Sequence, residues 1–177
     1  MRALGIDPGS RVTGWGVVEH AGAGFRELAS GTIRLGTTDT LADRLARLHV
    51  ECLALARTWT PDALVLERNF VAHNVQSAFR IGEVRGVVLA AAAAARLRVH
   101  EYAPAAVKLA AVGHGRADKE TVGRGVTAIL RLGVRPPADA ADALAVALCH
   151  LQQAPLEAAI ARAERSARSR RAAERHE

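Results

Sequence analysis

The sequence predicts an α/β domain: a mixed five-stranded sheet, made of a three-stranded antiparallel meander plus parallel strands, flanked by helices. Three observations carry that prediction. Short apolar runs separated by turn residues fill the N-terminal part of the chain. The hydrophobic period then lengthens from strand spacing to helix spacing. Beyond that point strand-like and helical segments alternate, the pattern of parallel strands joined by crossover helices.

The elements follow in order. Leu4 to Asp7 is a short buried strand ending on an acid. After a Pro8-Gly9-Ser10 turn, Thr13 to Glu19 forms a second strand, and Phe25 to Leu35 a third beyond the Ala21-Gly22-Ala23-Gly24 link. Links this short join antiparallel neighbours. Leu41, Leu45, Leu48, Cys52, Leu55 and Trp59 recur at helical spacing, with Asp39 or Thr40 as N-cap. Thr60-Pro61-Asp62 closes that helix, and Ala63 to Glu67 is an apolar run of the kind covered on both faces in a parallel sheet. A polar loop, residues 68–74, leads into a long helix from Val75 to Arg96 that is apolar nearly all round. Val99 to Tyr102 reads as the fifth strand. Pro104 opens a short helix ending near Gly113, Lys119 to Leu130 is another, and Pro136-Pro137 opens the last, running to about Leu151. One domain therefore spans residues 1–153. Residues 154–177 are mostly Arg, Glu, Ala and Ser and read as a polar tail, helical or disordered.

Composition narrows the function. The chain has 177 residues and a net charge of +6, which suits a polyanionic partner. Of its 24 Lys and Arg residues only Lys108 and Lys119 are lysine. A compact ammonium at two positions of an arginine-rich chain fits close approach to a phosphate, although a solvated helix face explains many lysines. Met1 leads straight into a strand without an apolar leader, and the run Val87 to Ala95, bracketed by Arg85 and Arg96, is too short to span a bilayer. Cys52 and Cys149 lie in helical patterns without metal-site spacing, as buried thiols of a cytoplasmic protein do.

Four acids stand out: Asp7, Glu67, Asp139 and Asp142. Each has an ordinary explanation. Asp7 opens a turn, Glu67 is followed by Arg68 as in a surface ion pair, and Asp139 complements the dipole of a helix just begun. Asp142 is less easily explained, because it shares a helical face with Asp139 among alanine and leucine neighbours. Taken together they make one site. If the first and fourth strands are parallel neighbours, Asp7 and Glu67 emerge at one edge, and the last helix can cross that edge. Such a carboxylate set suits two Mg²⁺ ions about 4 Å apart, with Mn²⁺ possible, acting on a phosphodiester.

The blocks Gly5-Ile6-Asp7-Pro8-Gly9-Ser10-Arg11-Val12-Thr13-Gly14-Trp15-Gly16, Glu67 to Asn74, and Ala138-Asp139-Ala140-Ala141-Asp142-Ala143-Leu144-Ala145 resemble the RuvC family of bacterial Holliday-junction resolvases, in order and at matching spacing from Met1 to about Leu151. The resemblance implies a ribonuclease-H-like fold and a homodimer. It implies Mg²⁺-dependent, paired nicking of four-way junction DNA to 5′-phosphate and 3′-hydroxyl ends, in recombination and repair, beside the branch-migration proteins RuvA and RuvB. It further implies that Asp7, Glu67, Asp139 and Asp142 are catalytic metal ligands, that Phe70 stacks on a base, and that Lys108 and Lys119 lie near the scissile phosphate, Lys119 taking part in catalysis. The loop adds Arg68, His73 and Asn74 as DNA contacts, with Arg80 a little further on. Phe70 in a polar loop is also readable as a hydrophobic plug. Rival readings fit less well. An actin-like ATP-binding protein needs a second phosphate hairpin and a longer chain, a non-catalytic junction binder needs no such acids, and an RNA-processing relative accounts less well for the Phe70 loop.

Overall fold

The computed structural model describes the backbone of residues 1–22, 24–36, 38–68 and 75–173. The strands are β1 (Arg2–Asp7), β2 (Val12–Ala21), β3 (Gly24–Arg34), β4 (Ala63–Glu67) and β5 (Arg98–Tyr102). The helices are α1 (Leu41–Trp59), α2 (Val75–Ala94), α3 (Pro104–Val112), α4 (Lys119–Ile129) and α5 (Ala138–Ala173). The sheet order is β3-β2-β1-β4-β5. β1, β2 and β3 form the antiparallel meander, whereas β4 runs parallel to both β1 and β5.

Local chemistry sets the helix ends. Thr40 caps α1 by accepting from the Asp43 amide at 3.2 Å. Thr60 ends it in the left-handed region, at φ 42°. Asp118 caps α4 through the Thr121 amide at 2.7 Å, a bond that holds its carboxyl below the usual range. α2 stops at Ala94, slightly before the expected Arg96, because the chain turns there with Arg96 at φ 58°.

Helices cover both faces of the sheet. Leu4, Ile6, Leu64 and Leu66 pack against α1 and α2 through residues such as Leu48, Val84 and Val88. Ala3, Ala63 and Val65 face the other way, towards Leu144, Leu148 and the residues of α3 and α4 that enclose α5. The first half of α5 is thus a central helix, buried at Ala143, Leu144, Ala147 and Leu148.

α5 lies unusually close to the sheet. A Cβ at Gly5 would stand 2.0 Å from the Ala143 carbonyl oxygen, and one at Gly14 only 1.9 Å from that of Asp139. Alternate glycines on β1 and β2 therefore clear a track for the helix backbone. α5 also runs on past the expected Leu151, with Pro155 inside it. The missing Pro155 amide leaves one internal bond unmade, and the alanine, glutamate and arginine that follow favour the helical state. Cys52 and Cys149 are buried free thiols, and burial pushes the Cys52 thiol up to about 12. Among the described residues no helix is long and apolar enough to cross a membrane.

Candidate active site

Strand alternation decides where the first two acids point. On β1 and β4 the odd-numbered residues face α5, so Asp7 and Glu67 face it too. They follow directly on the paired residues Ile6 and Leu66, so the ladder carries both acids to the same edge. There the first turns of α5 pass. Asp139 lies in the opening turn and Asp142 one turn on.

Asp7, Glu67, Asp142, Lys108 and Lys119 line one cleft of about 370 Å³, walled by Pro104, Val107, Val122 and Ala145. The cleft is assembled from β1, β4, α3, α4 and α5, and it brings together three of the four acids singled out in the sequence with both lysines. Asp139 is not among the residues lining the cleft, yet its charge acts on Asp7 and Lys119. Its backbone is the part pressed against Gly14.

The carboxylates are electrostatically uncomfortable. Burial raises the Asp7 carboxyl from its usual value to about 7, and the negative charges of Asp142, Asp139 and Glu67 add to the rise while Lys119 opposes it. Burial also raises Glu67, again with Asp142 adding and with Lys108 and Lys119 opposing. The Lys119 ammonium donates to Asp142 Oδ2 at 2.6 Å, which strengthens its hold on its proton. Oxygen donors whose negative charge the two lysines only partly offset are what a hard divalent cation takes. The donor chemistry therefore fits Mg²⁺ or Mn²⁺. The geometry is open: among the described residues no group of three or more His, Cys, Asp or Glu side chains is gathered tightly enough to hold an ion as it stands.

The remaining expected contacts fall elsewhere. Arg80 pairs with Glu83 at 3.2 Å and lines a separate groove of about 740 Å³ with Gly9, Ser10, Gln76 and Ser77. Arg68 is exposed just beyond β4, and its amide donates to Tyr102 O at 2.8 Å. Phe70, His73 and Asn74 lie outside the described residues. Two features were not singled out in the sequence. One is the glycine track under α5, whose signal is the alternation of Gly5, Gly14 and Gly16 along two neighbouring strands. The other is Arg85, which reaches the backbone of Glu67 from α2.

The chain resembles known proteins in sequence and in fold. The family model for crossover junction endodeoxyribonuclease RuvC matches residues 3–150. The chain is 49% identical over 162 residues to the crossover junction endodeoxyribonuclease RuvC of Alkalilimnicola ehrlichii, covering 92% of this chain and 98% of that one. It is 48% identical over 166 residues to that of Halorhodospira halophila, covering 93% and 99%. The solved structure of T. thermophilus RuvC in complex with Holliday junction substrate superposes with a TM-score of 0.84 at 36% identity, over 89% of this chain and 96% of that one.

Proposed function

The chain belongs to the RuvC family of crossover junction endodeoxyribonucleases, and we propose on that basis that it resolves four-way DNA junctions by paired symmetric nicks. The observation that carries the reading is the cleft in which Asp7, Glu67 and Asp142 meet Lys108 and Lys119. A protein surface that gathers desolvated carboxylates and lysines in one place can take a metal ion and a phosphate together.

Nucleases of this family depend on a metal. We assign the ligand set to Asp7, Glu67, Asp139 and Asp142. Two Mg²⁺ ions there, or Mn²⁺, would neutralise phosphate charge and favour in-line attack by water on the phosphodiester. The chain's own residues do the rest. Lys119 pairs with Asp142 and would turn its charge to the phosphate when Asp142 takes other partners. Lys108 lies across the cleft on α3 and adds positive charge on the Glu67 side. Hydrolysis breaks the bond between phosphorus and the 3′ oxygen, leaving a 5′-phosphate and a 3′-hydroxyl that can be resealed.

Two coordinated nicks need two cleft copies, so the reading includes a homodimer. The exposed α2 residues Val75 and Phe79, both 71% exposed, support α2 as the contact face. The reading also assigns Phe70 to stacking on a base near the crossover, with Arg68, His73, Asn74 and Arg80 as backbone contacts; a base–aromatic stack is worth about 1–3 kcal/mol. RuvA and RuvB enter as partners on family membership alone.

One assay tests the whole. The protein is incubated with a synthetic four-way junction, a linear duplex and a structured RNA, with and without Mg²⁺. Symmetric nicks in the junction, only with the metal, are the expected result. Equal cutting of the linear duplex or of the RNA would refute junction resolution. Phe70→Ala is expected to slow junction cutting more than it weakens binding; unchanged cutting would return Phe70 to a plug in its loop.

A further inference from the structure

The last peptide of β4 has a hydrogen-bonding problem. Its N–H, on Arg68, donates to Tyr102 O of β5 at 2.8 Å. Its carbonyl, Glu67 O, belongs to the same planar unit and points away from β5, towards β1. β1 has ended at Asp7 there, and the next residue is Pro8, which has no N–H to offer. The ladder therefore has no donor for this carbonyl, and backbone groups at half-buried positions find one.

Arg85 of α2 supplies it. Its Nη1 donates to Glu67 O at 3.0 Å, while Nη2 is ion-paired with Glu101 of β5. The Arg85 side chain is only 19% exposed, so the planar fork is held on two sides in a partly dry setting. Arg85 also comes from behind. α2 packs on the face defined by Leu64 and Leu66, opposite to the face on which the Glu67 carboxylate meets α5. A group behind the sheet does not touch a substrate in the cleft; it acts through Glu67.

We propose that Arg85, oriented by Glu101, is a positioning residue that fixes the terminal peptide of β4 and so the direction in which the Glu67 carboxylate enters the cleft. The inference rests on the reading of that cleft as the metal-binding active site.

The test measures Mn²⁺ affinity of the full-length protein by electron paramagnetic resonance, beside single-turnover cleavage of a four-way junction and junction binding in Ca²⁺. Arg85→Met removes the donor and is expected to weaken Mn²⁺ binding and slow cleavage by about tenfold each, the scale on which partners of metal ligands act, with junction binding unchanged. Arg85→Lys, which keeps one donor, is expected to recover part of both. Wild-type Mn²⁺ affinity and rate in Arg85→Met, whatever its melting temperature, overturn the proposal. If Arg85→Met does not fold, Glu101→Gln on the edge strand decides: about threefold weaker Mn²⁺ binding supports the proposal, and wild-type affinity and rate overturn it. A wild-type protein that binds Mn²⁺ yet leaves junctions uncut refutes the resolvase reading instead, and the Mn²⁺ comparison still decides the role of Arg85.

Discussion

The strand-borne acids, Asp7 and Glu67, and the helix-borne acids, Asp139 and Asp142, come to the same end of the sheet by different means. The first pair is placed by ladder hydrogen bonds, immediately beyond the Ile6–Leu66 pairing. The second is placed by how closely α5 approaches the sheet, which Gly5 and Gly14 allow. Their electrostatics differ as well. Asp7 and Glu67 are pushed towards the protonated form by burial and by their neighbours. Asp142 already has a cation, Lys119, at 2.6 Å. The strand-borne pair therefore carries buried charge, while on the helix Asp142 carries an ion pair.

Asp7→Asn is the substitution that separates the two pairs most strongly. Junction cleavage is expected to fall by about a thousandfold or more, equivalent to about 4 kcal/mol of barrier, with junction binding retained. The metal-free variant should also melt higher than wild type at pH 8, since a buried carboxylate beside other acids has gone. Asp142→Asn should lose cleavage similarly without gaining stability, because it leaves Lys119 without its partner. A thermal gain in both variants, or in neither, would erase the distinction.

A smaller effect is expected at Lys119. Replacing it by Arg keeps the charge but broadens the head group, and single-turnover cleavage should slow by about tenfold. A wild-type rate would show that charge alone suffices at this position.

Gly14→Ala tests whether the helical pair depends on close packing. The new methyl has nowhere to go between β2 and the Asp139 carbonyl, so urea unfolding should register a loss of about 1–3 kcal/mol. An unchanged midpoint would mean that α5 shifts freely and that its acids are not held by the glycine track.

The mildest test is pH. In the folded protein Asp7 keeps its proton up to about 7, well above its unfolded value of 3.8. The folded state binds the extra proton between those values, so this acid makes metal-free stability fall as pH rises through the window. His150 opposes it. Burial and the adjacent His100 hold the His150 imidazole down at about 4, below its ordinary 6.5, so it makes stability fall as pH drops through that window. The difference in melting temperature between wild type and Asp7→Asn isolates the first effect, and saturating Mg²⁺ should flatten it. A difference independent of pH would mean that Asp7 titrates normally.

Much of this was legible in the residues. The meander shows in the Pro-Gly and Ala-Gly links, and β4 in an apolar run with no polar face. That Asp7 and Glu67 each end a buried strand, and that Asp142 shares a helical face with Asp139, follows from strand alternation and helical spacing, which are local rules. Lys108 and Lys119 stood out because every other cation is arginine. The continuation of α5 through Pro155 was less legible, since a proline breaks the local pattern while the residues beyond it still favour a helix. Arg80 was legible as a basic residue following the loop, but the groove it lines with Gly9 and Ser10 was not, because distance along a helix says nothing about which groove a side chain enters.

The sequence by itself determined the element order, the acids and their faces, for these depend on periods of two and of about 3.6 residues and on short-range turn chemistry. The tertiary structure alone decided three things. It set how near α5 lies to β1 and β2, it paired Lys119 with Asp142, and it brought Arg85 to the carbonyl that Pro8 cannot serve. Each joins residues far apart in the chain, and such contacts depend on packing distances between layers that no local period encodes.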